Sequence, residues 1–313
     1  MHIAHVCPWQ LPVRLYGGSE RVAYWQAKAQ ALRGHRVTLV APAGTTCPGV
    51  DVVPIRPSVP LQALIPKTCD VVNVHGHMDI GDIGRPVIVT NNSNTPERLC
   101  YSPNKVYASS NHAFRAGARA FVYNGVDPDD FTFQEKKGDY ILFLARVRHV
   151  QKGVDIALRL ARRLGLRLVV AGGSRFDLRR TGGLFDSLSA KIHFVGEVGG
   201  QTKASLLAGA RALLFPIRWE EPFGLVVTEA LVSGTPVITV PRGAMPEIVT
   251  PEVGFLCTSE DEMAAATARV GDIDPAACRR RVLEHFSNRQ AAESYRRHYR
   301  DAIAAFGRPG GEA

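Results

Sequence analysis

Residues 219–237 read WEEPFGLVVTEALVSGTPV, and this stretch predicts a short, buried helix with one carboxylate in its middle. Gly234 suits the left-handed position just past a helix end, and Pro236 stops the helix, so we expect a helix over 224–233. Its side chains are almost all apolar, which predicts burial on most sides in a larger fold. Glu229 is the exception, because a carboxylate taken out of water costs roughly several kcal/mol unless hydrogen bonds compensate it.

Two interpretations of Glu229 are open from the residues alone. A salt bridge, or a hydrogen bond from neighbouring backbone, would satisfy the carboxylate. A ligand with two adjacent hydroxyls, such as a ribose, would do the same. The start of the helix favours a ligand, because Phe223, Gly224 and Leu225 offer unpaired N–H groups and a positive dipole end to an anion.

The composition is that of a folded globular protein. A chain of 313 residues, 45% hydrophobic and 21% charged, predicts two domains. The N-terminus MHIAHVCPWQ lacks the pattern of a secretion signal, and no run approaches the ~20 apolar residues of a membrane span. The six cysteines have no zinc-like spacing. We therefore expect a cytoplasmic protein with reduced thiols.

The net charge of +9 is compatible with nucleic acid, an anionic lipid surface or an anionic substrate. We find neither a helix-turn-helix pattern nor the aromatic and glycine interleaving of RNA-binding domains, so we expect no nucleic-acid partner. A peripheral association with an anionic membrane surface stays open, and the oligomeric state is unknown.

Short apolar strands alternate with helices along the whole chain, which predicts an α/β fold with parallel sheets covered by helices. The expected strands of the first half are 3–7, 37–41, 71–74, 86–90, 106–108 and 121–123. Those of the second half are 140–145, 167–171, 192–195, 212–215 and 237–239. The clearest helices are 19–33, 154–164, 201–208 and 224–233. Two such halves bind ligands at the carboxyl ends of their strands.

Three loops at those carboxyl ends carry candidate site residues. Gly17 and Gly18 follow the first strand and precede a helix, which lets a phosphate or a sugar approach the backbone closely. His75 and His77 follow the third strand, at the edge of the expected crevice. No carboxylate or cysteine has convincing spacing to them, so we expect a substrate contact and no metal site.

Arg146 and Lys152 follow the first strand of the second half, in the stretch FLARVRHVQKGVD. Alone, a basic loop is most often exposed to solvent. Opposite the helix N-terminus that follows EPFG, two fixed cations suit a diphosphate.

Together these motifs resemble the retaining, nucleotide-sugar-dependent glycosyltransferases of the GT-B fold, of the glycosyltransferase family 4 type. Glu221 and Glu229 match the E-x7-E motif of that family. The motifs YGGSERV, LRGHRVTLVA, VYNGVD, RVRHVQKGVD, FVGEV, LFPIRWEEPFGLVVTEALVSGTPVI and GAMPEIV stand in the family's order and cover nearly the whole chain.

The resemblance implies a role for each matching residue. Arg146 and Lys152 bind the donor diphosphate, Glu221 contacts the donor sugar, Glu229 accepts from the ribose, and His75 lies near the sugar. Donor contacts are also implied for Gly17, Gly18, Phe223, Gly224 and Leu225. Glu220 has no implied role and is interpreted as a loop residue near a helix start.

The implied reaction moves a sugar from a nucleoside diphosphate to an acceptor with retention of configuration, without a metal or a cofactor. A UDP-sugar and a GDP-sugar both stay open as the donor, since nothing in the residues distinguishes them. The alternatives are a nucleotide-sugar epimerase and a non-catalytic sugar-nucleotide-binding protein. E-x7-E argues against the epimerase, and the intact His75, Arg146, Lys152 and Glu221 argue against loss of catalysis.

The implied architecture has two Rossmann-like domains facing each other across a cleft. They are an acceptor-side domain over 1–130, a donor-binding domain over 131–286, and a helix over 287–313 that returns to the first domain and ends in a frayed tail. The first domain is short for the family, which fits a small or exposed acceptor in natural-product or cell-envelope glycoside assembly. The acceptor candidates are Trp9, Tyr16, His77, Asn91, Asn94 and Arg98.

Overall fold

The computed structural model describes residues 1–15, 17–76, 78–94 and 104–306. Tyr16, His77 and Arg98, all named above as acceptor candidates, lie outside the described residues, and so does the tail after 306. Among the described residues, the strands form two six-stranded sheets, and every pairing within them is parallel.

Both sheets have the same strand order. The strands of the first sheet are β1 (His2–Val6), β2 (Arg36–Ala41), β3 (Asp51–Pro54), β4 (Val71–His75), β5 (Val87–Asn91) and β6 (Lys105–Tyr107). Those of the second are β7 (Tyr140–Leu144), β8 (Arg167–Ala171), β9 (Ile192–Gly196), β10 (Ala212–Phe215), β11 (Val237–Thr239) and β12 (Gly254–Leu256). The orders are β3-β2-β1-β4-β5-β6 and β12-β11-β10-β7-β8-β9. In each sheet the order reverses between the first and the fourth strand, which makes that point the preferred place for a ligand.

The helices are numbered in chain order. They are α1 (Gly18–Leu32), α2 (Leu61–Leu64), α3 (Ser110–Arg115), α4 (Val154–Leu164), α5 (Leu178–Thr181), α6 (Gly200–Gly209), α7 (Leu225–Val232), α8 (Met245–Ile248), α9 (Glu260–Arg269), α10 (Pro275–His285) and α11 (Asn288–Ala305). The predicted helix over 224–233 is confirmed as α7, with Gly224 and Ser233 as its caps.

Contacts divide these elements into two compact units. The first holds β1–β6 with α1, α2, α3 and α11, and the second holds β7–β12 with the remaining helices. The chain leaves the first unit after Asp127 and re-enters it at Ser287. In the first unit α11 contributes Tyr295 and Tyr299 to a core that also contains Ile3 from β1 and Val71 from β4.

Two strands of the structure were not predicted from the sequence, and one predicted strand does not form. β3 and β12 were not predicted, because β3 is a four-residue strand of exposed and half-buried residues that ends in a proline, and β12 has only three residues. The predicted strand 121–123 makes only an isolated parallel bridge from Phe121 to Tyr107.

Candidate active site

Lys152 lies in the loop that follows β7, and this loop is held against the end of β10. Gly153 adopts the left-handed conformation at φ 71°. A Cβ atom at Gly153 would lie 2.0 Å from the carbonyl oxygen of Pro216, the residue after β10. Glycine suits both the left-handed conformation and the close approach of Pro216. Gly153 therefore fixes the backbone conformation next to Lys152.

Lys152 and Glu221 form an ion pair where the strand order of the second sheet reverses. Lys152 Nζ lies 2.5 Å from Glu221 Oε2, and Trp219 Nε1 donates to the same oxygen at 2.7 Å. The lysine Nζ also lies 4.7 Å from the centre of the Trp219 ring. The side chains of Lys152 and Glu221 are 18% and 12% exposed, so both charges keep some contact with water. The pair therefore offers a partly hydrated cation and an oriented carboxylate at one place.

The loop between β10 and α7 is fixed by a neighbouring loop after β11. Gly243 N–H donates to Glu220 Oε2 at 2.6 Å, and Ala244 N–H donates to the carbonyl oxygen of Glu221 at 3.0 Å. A Cβ atom at Gly243 would lie 2.3 Å from that same carbonyl oxygen, so the two backbones approach at a glycine. Glu220, for which the sequence indicates only a place in a loop, thus joins the two loops that carry the site.

The N-terminus of α7 follows directly after this loop. Gly224 caps it in the left-handed conformation at φ 89°. Phe223 is 2% exposed, and its ring packs 5.9 Å from the ring of Phe286, so its side chain anchors the helix start. Leu225 begins the helix and is half-buried.

Glu229 is ion-paired inside the second unit. It is 4% exposed, and its Oε1 lies 2.5 Å from Nζ of Lys203 on α6. Lys203 is itself 8% exposed and lies 5.7 Å from the centre of the Phe131 ring. The first of the two interpretations of Glu229 is therefore realised in the structure, and ribose binding by the same carboxylate stays a prediction.

Lys203 is one of the residues that sequence reasoning missed. Its stretch GGQTKASLLAG reads as an ordinary helix, and a lysine at one position attracts no attention. One signal was present: Lys203 lies four residues before Leu207 and one before Ala204, both buried, so it shares the inner face of α6. A lysine on an inner face requires a carboxylate partner.

Arg146 is exposed and follows Ala145 after the end of β7. Its position at the carboxyl edge of the second sheet is the one predicted, and its contact with a diphosphate stays a prediction. Gly17 adopts φ 148° and caps α1, which Gly18 begins. Residues with a side chain rarely adopt this positive φ, so the turn favours a glycine.

His75 is the last residue of β4, so it lies at the carboxyl edge of the first sheet. Its side chain is 0% exposed, and its Nε2 lies 2.8 Å from Nδ1 of His5 on β1. His5 Nε2 in turn lies 2.7 Å from Gln30 Oε1. Burial lowers the pKa of His75 well below its ordinary value and lowers the pKa of His5 to about 4, so both rings are neutral at pH 7. The role of His75 near a sugar stays a prediction.

The described acceptor candidates are spread over the carboxyl ends of the first sheet. The ring of Trp9 lies 2.9 Å from the place of a Cβ atom at Gly76. Asn91 Oδ1 accepts from Ser93 N–H at 2.9 Å, and Asn94 Oδ1 accepts from Arg115 Nη2 at 2.9 Å. Asn91 and Asn94 are held by these hydrogen bonds, and the contact of all three candidates with an acceptor stays a prediction.

Two further findings concern the part of the chain that the structure describes. There, no three His, Cys, Asp or Glu side chains come together as they would to hold a metal ion. No helix among the same residues has both the length and the apolar character needed to cross a membrane.

Comparison with known proteins finds glycosyltransferases among the proteins similar to this chain. The family described as Glycosyl transferases group 1 matches residues 127–272. The solved structure of AviGT4, a glycosyltransferase involved in avilamycin A biosynthesis, is 27% identical, with 97% of this chain and 98% of that chain covered and a TM-score of 0.79. Anabaena HepE in complex with UDP is 18% identical with a TM-score of 0.68 over 96% of this chain and 100% of that chain, which shows the fold alone.

Two curated relatives are named as mannosyltransferases. The phosphatidyl-myo-inositol mannosyltransferase of Mycolicibacterium smegmatis is 28% identical over 49% of this chain and 42% of its own length. The protein of that name from Mycobacterium tuberculosis is 25% identical over 86% of each chain. The chain thus spans less than half of the first of these relatives.

Two α/β units of equal strand order, with charged loops at the reversal point of the second, define a protein of the GT-B fold. Residues 127–272 are similar to the group 1 glycosyl transferases. AviGT4 and the two mycobacterial relatives are all named as transferases, so the epimerase and binding-protein alternatives gain no support.

Proposed function

We propose that this protein transfers a hexose from a nucleoside diphosphate sugar, a UDP-sugar or a GDP-sugar, to an acceptor hydroxyl with retention of anomeric configuration. The observation that carries the proposal is the Lys152–Glu221 pair beside the N-terminus of α7, at the reversal point of the sheet. Ligands of doubly wound sheets bind at that point, and an anion is favoured at a helix N-terminus.

The charges of the second unit suit departure of a diphosphate. As the bond between the sugar C1 and the phosphate oxygen breaks, negative charge grows on that oxygen. Arg146 and Lys152 are placed to stabilise it, and a preorganised donor of this kind typically contributes about 10²–10³ in rate. Lys152 has three N–H bonds, so it can hold Glu221 and a phosphate oxygen together.

Retention follows in this proposal from attack on the face that the diphosphate leaves. The acceptor oxygen forms its bond to C1, and its proton passes to the departing phosphate oxygen, which balances the step without a protein nucleophile. Glu221 Oε2 is already engaged by Lys152 and Trp219, which favours a contact with the donor sugar over a covalent role. His75 is the candidate for a further sugar contact.

No divalent metal enters this proposal, because Arg146 and Lys152 supply the positive charge. The names of the relatives suggest the setting: one acts in avilamycin A biosynthesis, and others transfer mannose to phosphatidyl-myo-inositol. We therefore propose an acceptor from natural-product or cell-envelope glycoside assembly, with peripheral membrane association if that acceptor is a lipid. The described cysteines are free thiols, which supports a cytoplasmic location.

The first experiment is a thermal-shift panel of UDP-, GDP-, ADP- and dTDP-sugars in excess chelator, followed by a hydrolysis assay with each stabilising donor. At a concentration of 100 times Kd, a donor that binds only the folded protein contributes about 2.7 kcal/mol. Glu229→Gln should lose most of the shift measured from its own ligand-free baseline. Glu284→Gln, an exposed carboxylate on α10, is the matched control and should retain it.

The anomeric configuration of the product is then read from the one-bond carbon–proton coupling constant at C1. A product with the donor's configuration supports the proposal, and an inverted product contradicts it. If no nucleotide sugar shifts the melting temperature, the proposed transfer loses its basis.

A further inference from the structure

Exposed apolar side chains and positive charge coincide in one part of the second unit. The segment from α4 to β9, residues 154–196, makes up 43 of the 313 residues. It holds eight Lys or Arg and three Asp, so it carries +5 of the chain's net charge of +9. Of the thirteen exposed large hydrophobic side chains among the described residues, six lie in this segment: Leu164, Phe176, Leu184, Phe185, Leu188 and Val195.

Three of these apolar side chains lie on a single turn over 184–188, which we call the apolar turn. Leu184, Phe185 and Leu188 are 52%, 68% and 68% exposed. Ser187, between them, is 0% exposed, and its hydroxyl donates to the carbonyl oxygen of Leu184 at 2.6 Å. Arg175 Nη2 donates to the carbonyl oxygen of Ser187 at 3.2 Å. The polar groups of the turn are thus bonded on its inner side, while its apolar side chains face water.

Basic side chains flank the apolar turn. The guanidinium carbon of Arg162 lies 3.9 Å from the centre of the Phe185 ring, and Arg162 Nη1 lies 3.3 Å from Asp186 Oδ1. Lys191 follows the turn by three residues, and Arg180 precedes it by four; both are exposed. Neither forms an ion pair with a carboxylate of the described residues, and Lys191 donates to a backbone carbonyl. The charge beside the turn is therefore positive, since Asp186 offsets Arg162 alone.

This combination of apolar and basic groups complements an anionic membrane surface. An exposed apolar side chain is stabilised when a partner removes it from water. The interface of a bilayer accepts Phe and Leu side chains that project from a protein surface, and anionic headgroups attract Lys and Arg within a Debye length. The stems of basic side chains lie along apolar surface while their charges reach the phosphates. A protein partner would need a matching pocket and carboxylates of its own.

We propose that the apolar turn docks this protein on an anionic membrane surface. Phe185 and Leu188 enter the headgroup region, and Arg180 and Lys191 contact lipid phosphates. This inference deepens the proposed function, because it assigns a surface to the membrane association that a lipid acceptor requires. It rests on the proposed function for the acceptor only, since docking itself needs neither donor nor acceptor.

The test is sedimentation of the full chain with vesicles, without donor or acceptor. Vesicles of phosphatidylcholine and phosphatidylglycerol should bind the protein, and vesicles of phosphatidylcholine alone should bind it at least about tenfold more weakly. Added salt should weaken the binding, because salt screens the attraction between basic side chains and headgroups. Equal binding to both kinds of vesicle, or binding to neither, would overturn the proposal.

Phe185→Ser/Leu188→Ser tests the apolar side chains. It should lower the partition coefficient for the anionic vesicles at least about tenfold, since two apolar side chains no longer leave water on binding. The matched control, Phe114→Ser/Leu32→Ser, removes one Phe and one Leu that are 80% and 73% exposed in the first unit. This control should bind as the wild type does. Equal losses from the two double variants would contradict docking through the apolar turn.

Arg180→Gln/Lys191→Gln tests the charges beside the turn. Each lost charge should weaken binding to the anionic vesicles about fivefold. Arg56→Gln/Lys67→Gln is the matched control, because it removes the same two charges from exposed positions of the first unit. The control should lose less binding. A control that loses as much would show that net charge alone drives the association, and it would contradict the proposal.

Two further measurements separate the outcomes. Sedimentation velocity without vesicles should give one oligomeric state for the wild type and for Phe185→Ser/Leu188→Ser. A wild-type dimer that this variant dissociates would show that a second copy covers the turn, which would overturn the proposal. The variants at the turn should keep the thermal shift with a donor, because they leave Lys152 and Glu221 unchanged. Vesicle binding lost with an intact donor shift supports docking, whereas a missing donor shift in the wild type contradicts the proposed transfer alone.

Discussion

The two units carry side-chain pairs at equivalent places, and the pairs differ in charge. In the first unit His5 on β1 meets His75 on β4, where the strand order reverses. In the second unit Lys152 after β7 meets Glu221 after β10, at the same point of an equal strand order. One fold position therefore holds a neutral pair in one unit and an ionic pair in the other.

Burial explains the difference. Both histidines are 0% exposed, and such a site disfavours the charged form, which lowers the pKa of each ring. Lys152 and Glu221 keep 18% and 12% of their side-chain surface in water, where an ion pair costs much less.

The Lys203–Glu229 pair is an exception to this relation between burial and charge. It is ionic, although its side chains are only 11% and 5% exposed. Lys203→Met leaves a buried carboxylate alone and should lower the free energy of unfolding by about 3–5 kcal/mol. Chemical denaturation measures this. The double variant Lys203→Met/Glu229→Leu should recover most of the loss.

Arg163→Met is the control for Lys203→Met, since Arg163 and Asp261 pair at 2.8 Å with 44% and 89% of their side chains exposed. It should cost about 0–1 kcal/mol. Equal losses from Lys203→Met and Arg163→Met would show that burial does not separate the two pairs.

Lys152→Ala tests the ionic pair of the second unit by its effect on sugar transfer. Loss of its charge beside the leaving phosphate should reduce kcat/KM for transfer by about 10²–10³. Arg148→Ala removes an equal charge from an exposed position in the same loop and should change kcat/KM less than about threefold. Undiminished turnover by Lys152→Ala would remove this residue from the mechanism.

Because His5 and His75 are neutral in the folded protein, we predict that its stability depends on pH. The folded pKa of His5, about 4, lies below the unfolded value near 6.5, so the unfolded chain binds more protons between these values. Stability is therefore complete above about pH 6.5 and falls as the pH drops towards 4, by about 2 kcal/mol at pH 5. Urea unfolding at pH 7 and pH 5 measures this change.

His5→Gln should reduce the difference in unfolding free energy between pH 7 and pH 5, whatever it does to stability at either pH. The exposed His193 provides the control, and His193→Gln should leave the difference unchanged. A wild-type protein equally stable at both pH values would contradict burial of neutral histidines in the first unit.

Glu220 should give the smallest effect. Glu220→Ala removes the acceptor of the Gly243 N–H and should destabilise the second unit by about 1–2 kcal/mol. Glu220→Gln keeps an acceptor and should cost about 1 kcal/mol or less. Urea unfolding followed by circular dichroism measures both. A larger loss from glutamine than from alanine would mean that the hydrogen bond does not join the two loops.

Much of the fold was predictable because local patterns and tertiary packing agree. The helix over 154–164 has its predicted bounds, and α7 ends where Gly234 and Pro236 require. The two strands that were not predicted, β3 and β12, are short and lie at sheet edges. Pairing with a neighbouring strand stabilises them, rather than their own composition.

The site was predictable in part. The sequence predicted that Lys152 and Glu221 lie at one edge of one sheet, because both follow strands of the same parallel sheet. In the structure Lys152 Nζ lies 2.5 Å from Glu221 Oε2. Neither Lys203 beside Glu229 nor His5 beside His75 was foreseen. These partners are 26 and 70 residues apart, and such a pairing leaves no local pattern.

By itself the sequence determined the alternation of strands and helices, the glycine turns, and the loops that carry charge. These depend on backbone conformation and on hydrophobic periodicity, which act over a few residues. Only the tertiary structure decided that Glu229 is held by Lys203, that Glu220 joins two loops, and that His75 is neutral. Charge state and hydrogen-bond direction depend on desolvation and on partners distant in the chain, and folding alone brings those together.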